Sequence, residues 1–147
     1  VDYQLQHHPQ AFTAQGVANT MHLSNQAMVK VVMAFADDKL VMLVLPAGAD
    51  VDLKDAAYMI GAKKVQLAQE KDFEALFPDC ELGAMPPFGN LYNLPVYIDH
   101  ALAQNEMIYF QAGNHIDTMS IRYKDFIRLV NPVVDVFTGQ DALSFNG

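Results

Sequence analysis

Apolar residues recur along this chain at strand spacing in some stretches and at helix spacing in others. From Ala27 to Phe35 almost every side chain is apolar or β-favouring, Ala36-Asp37-Asp38-Lys39 breaks the run, and Leu40 to Leu45 resumes it. This predicts a β-hairpin, ended by Pro46-Ala47-Gly48. Asp52 then precedes Leu53, Ala56, Ala57 and Ile60, an i, i+3, i+4, i+7 stripe, and Gly61 follows it. The spacing predicts a helix capped by Asp52 and terminated by Gly61. Lys64 to Ala68 reads as a short strand, and Glu70 to Phe77 as a short helix burying Phe73, Leu76 and Phe77. Val96 to Ile98 and Met107 to Gln111 read as buried strands joined by a polar stretch from Ala103 to Glu106. Ser120 to Arg122 follows as a strand, Tyr123 to Val130 as an amphipathic helix stopped by Asn131-Pro132, and Val133 to Phe137 as a last core strand. Ahead of the hairpin, Thr13 to Met21 predicts a helix capped by Thr13, in which Gly16 costs about 1 kcal/mol relative to alanine.

Hairpins mixed with helical insertions imply a mixed α/β sheet and not a regularly alternating parallel one. The 147 residues, 52% hydrophobic and 18% charged, fit one globular unit with a single sizeable core. Residues 1–137 form the expected domain and 138–147 a tail with little signal. No apolar run approaches the roughly 20 residues that cross a bilayer, so no membrane span is expected. The lone Cys80 cannot form an internal disulfide, and no secretory pattern opens the chain, which points to the cytoplasm. Val1 in place of methionine suggests a processed chain or a domain of a longer polypeptide. A net charge of −8 argues against duplex DNA as a partner. Clustering of Lys30, Lys63, Lys64, Lys71, Arg122, Lys124 and Arg128 on one rim would suit a single-stranded RNA end instead.

Three features carry candidate chemistry. Lys30 interrupts Met28-Val29 and Val31-Val32-Met33 within a strand. A charge there either faces outward from the hairpin or pairs, snorkels or lines a cavity that receives a phosphate or carbonyl oxygen. Gly83-Ala84-Met85-Pro86-Pro87-Phe88-Gly89 cannot be helical, because consecutive prolines remove donors and bias Met85 and Pro86 to extended angles. It is either a tight connection or a ligand loop whose N–H groups stabilise an oxyanion. Gly113-Asn114-His115 follows the strand ending at Gln111. His115 is either a surface residue in a turn or a group that orients water or an amino group. Met28, Met85 and Phe88 are candidate pocket walls, with ordinary core packing as the alternative for all three. The histidines and acids have no zinc-ligand spacing, so neither a metal nor another cofactor is expected. G-x-S-x-G, P-loop and G-x-G-x-x-G patterns are missing, and acyl-enzyme or nucleotide chemistry finds no support.

Taken in order, several landmarks resemble the YbaK / prolyl-tRNA synthetase-associated editing domains over nearly the whole chain. They are His8-Pro9 with Ala11 and Thr13-Ala14, Val29-Lys30, Gly61-Ala62-Lys63-Lys64, the Gly83 to Gly89 loop, Val96-Tyr97-Ile98-Asp99, Phe110-Gln111-Ala112-Gly113-Asn114 and Tyr123-Lys124-Asp125-Phe126. The resemblance implies a partly closed mixed β-sheet or barrel surrounded by helices, and hydrolysis of the ester bond of misacylated aminoacyl-tRNA carrying a small amino acid. It implies that Lys30 contacts the terminal adenosine or its phosphate. Backbone groups near Gly83, Ala84 and Met85 would hold the ester carbonyl, and His115 would lie near the substrate. Met28, Pro86, Pro87, Phe88, Gly89, Gly113 and Asn114 would bound the pocket. The implied partner is the aminoacylated 3′ end of tRNA, with a synthetase or further domains of a longer chain as additional partners. The alternative is a non-catalytic ligand- or RNA-binding regulatory domain of a larger signalling protein.

Overall fold

The computed structural model describes residues 3–7, 27–78, 80 and 84–138. Its longest local feature is the expected hairpin, β2 (Val29–Ala36) paired antiparallel with β3 (Lys39–Pro46). Asp37 and Asp38 make the turn, with Asp37 at a φ of 55°. An aspartate tolerates this left-handed conformation better than a β-branched residue does. A second, three-stranded antiparallel sheet has the order β1-β7-β6, formed by Tyr3–His7, Asp117–Arg122 and Met107–Gln111. The larger sheet has the order β4-β2-β3-β5-β8. Here β4 is Val65–Leu67, β5 is Val96–Asp99 and β8 is Val133–Asp135, with β5 and β8 added in parallel. A parallel bridge from Met28 to Tyr109 joins the two sheets. The result is a mixed α/β fold of two bridged sheets with helices around them, in keeping with the fold that the resemblance implies.

Among the described residues three α-helices pack on this frame: α1 (Leu53–Ile60), α2 (Glu70–Phe73) and α3 (Tyr123–Val130). The Asp52 carboxylate caps α1 by accepting from the N–H groups of Lys54 and Asp55, both at 3.0 Å. Gly61, at a φ of 86°, ends it in the left-handed conformation that lacks a penalty only for glycine. Asn131 ends α3 the same way at a φ of 50°.

Strand alternation divides the core. Val29, Val31 and Met33 face a cluster with Phe110, Phe126, Ile108 and Met85, while Val32, Ala34 and Ala36 face a second cluster with Leu43, Leu45, Ala56 and Phe137. Phe110, Phe126 and Phe137 are fully buried, each worth about 1.5–3 kcal/mol of transfer free energy.

Several expectations shift in detail. The segment from Glu70 divides into α2 and a 3₁₀ turn at Glu74–Leu76. Leu76 is exposed while Phe73 and Phe77 are buried, because the change of helical pitch rotates Leu76 away from the core. The last strand is an edge strand: Val133 and Val134 are largely exposed, and only Phe137 reaches the core. Strand β7 begins at Asp117, three residues earlier than polar Asp117-Thr118 suggested, and β1 was not anticipated. Thr138 is buried and bridged to Val51. The helix expected over Thr13 to Met21 and the tail from 139 onward lie outside the described residues.

Candidate active site

Two of the three candidate features meet directly. The Gly113 N–H donates to the Ala84 carbonyl at 2.9 Å, tying the Pro-Phe loop to the turn after β6. Gly113 has a φ of 94°, a conformation any other residue adopts only with strain, and that bend aims its N–H at the loop. Phe88 reinforces the junction by stacking on Phe110, with ring centroids 5.3 Å apart, and on Phe126 at 5.8 Å. Edge-to-face contacts of this kind add about 0.5–1.5 kcal/mol beyond area burial.

Within the loop, Ala84, Met85 and Pro87 are buried, and Pro86 and Phe88 are half-buried. The Phe88 N–H donates to the Pro86 carbonyl at 2.8 Å. Pro86 and Pro87 have no N–H. The N–H groups of Ala84 and Met85 donate to no backbone carbonyl among the described residues. Buried backbone donors are normally satisfied, so this pair is positioned as candidate donors to a ligand oxygen. Gly89 has a different role: a Cβ there would stand 3.1 Å from Val96 Cγ2 and 3.2 Å from Met42 Sδ, so its missing side chain lets the loop close onto β3 and β5. Gly83 lies outside the described residues.

The turn after β6 is built by Asn114. Its Oδ1 accepts from the N–H groups of Ile116 at 2.8 Å and Asp117 at 2.7 Å, and its Nδ2 donates to Asp117 Oδ2 at 2.8 Å. Such local bonds are what Asn supplies in turns. His115 at the tip of this turn is only 4% exposed, which removes the reading of a free surface histidine.

Lys30 is half-buried. Its Nζ donates to the Ala49 carbonyl and lies 3.5 Å from the Asp50 carboxylate, whose side chain is almost wholly exposed. The amine therefore pairs and snorkels along the segment after β3. By alternation Lys30 shares the face of Val32 and Ala34, whereas Met85 and Phe88 belong with the Phe110 cluster. The parallel bridge links the regions along the chain direction: Gln111 is two residues beyond Tyr109, just as Lys30 is two beyond Met28. Lys30 and the clamped turn thus lie toward the same end of the junction between sheets. Met28 is fully buried at that junction.

Two further polar groups carry no local sequence signal. Gln111 and Thr118 are directly opposed in the β6–β7 register, both are buried, and neither Gln111 Oε1 nor Thr118 Oγ1 has a hydrogen-bond partner among the described residues. Burying such groups unsatisfied costs about 1–3 kcal/mol each. Gln111 closes an apolar strand and Thr118 precedes the segment predicted as strand, so no local signal marked them. Among the described residues no group of three or more His, Cys, Asp or Glu is placed to hold a metal ion, and no helix is long and apolar enough to cross a membrane.

The sequence profile of the aminoacyl-tRNA editing domain matches residues 8–129. The chain belongs to that family. It is also similar to a solved structure described as a candidate trans-editing enzyme for prolyl tRNA synthetase. The identity is 18%, covering 93% of this chain and 87% of the other, with a TM-score of 0.82. A scaffold protein used for computational epitope grafting is 20% identical over 93% of this chain and 86% of its own, with a TM-score of 0.81. A candidate signal transduction protein from Marinobacter aquaeolei is 12% identical over 98% of this chain but only 31% of its own, with a TM-score of 0.72. No curated protein sequence matches the chain. At these identities the structural likenesses speak for the fold of an editing domain, and the profile match speaks for the family.

Proposed function

We propose that this editing domain is a cytoplasmic trans-acting hydrolase that cleaves the ester bond of misacylated tRNA carrying a small amino acid. The observation that carries this reading is the clamped loop, in which the Ala84 and Met85 N–H groups stay unengaged among the described residues while Gly113 holds the loop in place. In the proposed reaction a water attacks the ester carbonyl. The resulting oxyanion accepts hydrogen bonds from the Ala84 and Met85 N–H groups. The carbon–oxygen bond to the ribose then breaks, and the departing ribose oxygen takes up the proton released by the water. Positioned donors of this type are worth about a hundredfold or more each, and orienting an already activated ester supplies much of the remainder. No side-chain nucleophile is required, and a hydroxyl or thiol of the substrate can replace the water.

Lys30 would hold the terminal adenosine or its phosphate. Its bond to Ala49 and its ion pair with exposed Asp50 are exchangeable, since a pair this open to solvent is worth about 0–1 kcal/mol. Buried His115 would contact the aminoacyl group, with Met28, Met85 and Phe88 limiting its size. Pro86 and Pro87 would stiffen the pocket rim, and Asn114 would shape the turn that carries His115. Selection by a second site suits small amino acids, which one apolar pocket separates by only about 1–3 kcal/mol.

A second reading, a binding or regulatory domain of a longer signalling protein whose chemistry has lapsed, is favoured by the existing engagement of Lys30 with Ala49 and Asp50. A panel of tRNAs mischarged with small amino acids, incubated with wild type and Lys30→Ala, separates the two. The hydrolase reading expects turnover on at least one substrate and a loss of about a hundredfold or more in the variant. No turnover on any substrate favours the regulatory reading.

A further inference from the structure

On the face of the larger sheet opposite the clamped loop, a groove of about 370 Å³ runs between α1 and β4, lined by Leu53, Lys54, Ala57, Tyr58, Lys63 and Lys64 among others. Three of the chain's nine lysines and arginines line it, on a protein whose net charge is −8. All three are exposed, and none makes an ion pair among the described residues. The three ammonium groups stand together on an acidic body, and the backbone that presents them is held in place.

It is fixed by several bonds. Gly61 and Ala62 both donate to the Ala57 carbonyl, at 3.0 and 2.9 Å, turning the chain sharply out of α1. The Asp37 carboxylate, reaching from the β2–β3 turn, accepts from the N–H groups of Lys63 and Lys64 at 3.1 Å each, and its own N–H donates to the Lys64 carbonyl at 2.8 Å. Asp37 thus spends its acceptors on the lysines' backbone and leaves their side chains to solvent. Asp55 adjoins Lys54 in sequence and is exposed, and Asp52, two residues before Lys54, is engaged in capping α1. Tyr58, 84% exposed, adds an aromatic face to the wall of the groove.

We propose that this groove docks the sugar-phosphate backbone of the tRNA body, away from the aminoacylated end; the proposal rests on the editing reading above. Ammonium groups beside an open aromatic ring match the chemistry of an RNA strand, whose phosphates take the charges and whose bases or riboses stack. The distance fits this division of labour. Lys64 adjoins Val65, which pairs with Ala36, and Ala36 is six residues along β2 from Lys30, about 20 Å. The terminal adenosine at Lys30 cannot also reach Lys64, so the groove meets nucleotides further back along the molecule.

The test is fluorescence anisotropy with labelled, deacylated tRNA across a salt series, comparing wild type with the Lys54→Gln/Lys63→Gln/Lys64→Gln variant. Thermal unfolding confirms that the variant remains folded. The expected result is a loss of tenfold or more in affinity at low salt and a salt slope shallower by about one per phosphate-bound lysine removed. Tyr58→Ala is expected to weaken binding with the slope unchanged. Equal affinity and slope in wild type and variant, or no binding of tRNA by wild type, overturns the proposal. So does a polyglutamate that binds wild type as tightly as the tRNA. Hydrolysis of a short aminoacyl-adenosine ester is expected to be the same in wild type and variant, while KM for mischarged tRNA rises. If wild type hydrolyses neither substrate, the editing reading fails, and the binding comparison still decides the groove.

Discussion

The two faces of the β2–β3 hairpin use the same strands for opposite ends. On one face, large rings and methionines, Phe110, Phe126, Phe88 and Met85, pack between the two sheets and brace an irregular loop. On the other, smaller side chains, Ala34, Ala49 and Ala56 with Leu43 and Leu45, let α1 and Phe137 lie close. The first face is packed to hold a conformation that the backbone would not adopt alone; the second is packed to stack regular elements. Stability should depend on both, and the chemistry on the first.

The sharpest way to break this contrast is a pair of core truncations. Phe110→Ala is expected to cost about 3–5 kcal/mol and Leu43→Ala about 2–5 kcal/mol in urea unfolding. Because Phe110 carries Phe88, its loss should also abolish ester hydrolysis by the molecules that remain folded. Leu43→Ala should leave activity per folded molecule near wild type. Equal activity loss in both variants contradicts the division.

Gly89→Ala probes where the loop meets the sheet. A Cβ 3.1 Å from Val96 Cγ2 and 3.3 Å from Met42 Cβ forces buried neighbours to move, so a destabilisation of about 1–3 kcal/mol is expected. An unchanged unfolding midpoint would mean that the close approach is not what requires glycine there.

The smallest effect lies at the edge strand, away from both faces. Burial raises the Asp135 carboxyl above its usual range, and its Oδ2 has no hydrogen-bond partner among the described residues. The folded protein therefore holds this proton more tightly than the unfolded chain does. Stability falls as pH rises from the unfolded carboxylate value through the raised folded one, and is flat above it. Asp135→Asn is expected to raise the urea midpoint at pH 7 and to confer no gain at pH values below the carboxylate range. A gain of equal size at both pH values removes titration as the cause.

What the sequence disclosed follows from how local each signal is. The hairpin, the Asp52-capped helix and the Asn131 stop depend on residues within a few positions of one another, and the structure has all three. The exposed edge at Val133 depends on neighbours distant in sequence, and the exposure of Leu76 on a change from α to 3₁₀ pitch, neither of which apolar composition alone reports. In the candidate site, the irregular Pro-Pro segment was legible because prolines exclude helix. Its hydrogen bond to Gly113 was not, because 29 residues of chain separate the two ends. Gln111 and Thr118 were invisible for the same reason: only the strand register sets their unsatisfied oxygens side by side. The side of the sheet to which Lys30 belongs was likewise set by register, and the Ala49 and Asp50 contacts that hold it come from the segment after β3.

The most direct measurement is the change in backbone amide chemical shifts on adding a non-hydrolysable aminoacyl-adenosine analogue. The account predicts that the largest shifts fall on Ala84, Met85 and the Gly113 to His115 turn, with Lys30 affected and α1 quiet. Shifts confined to α1 and β4, or no shifts at saturating analogue, would contradict it.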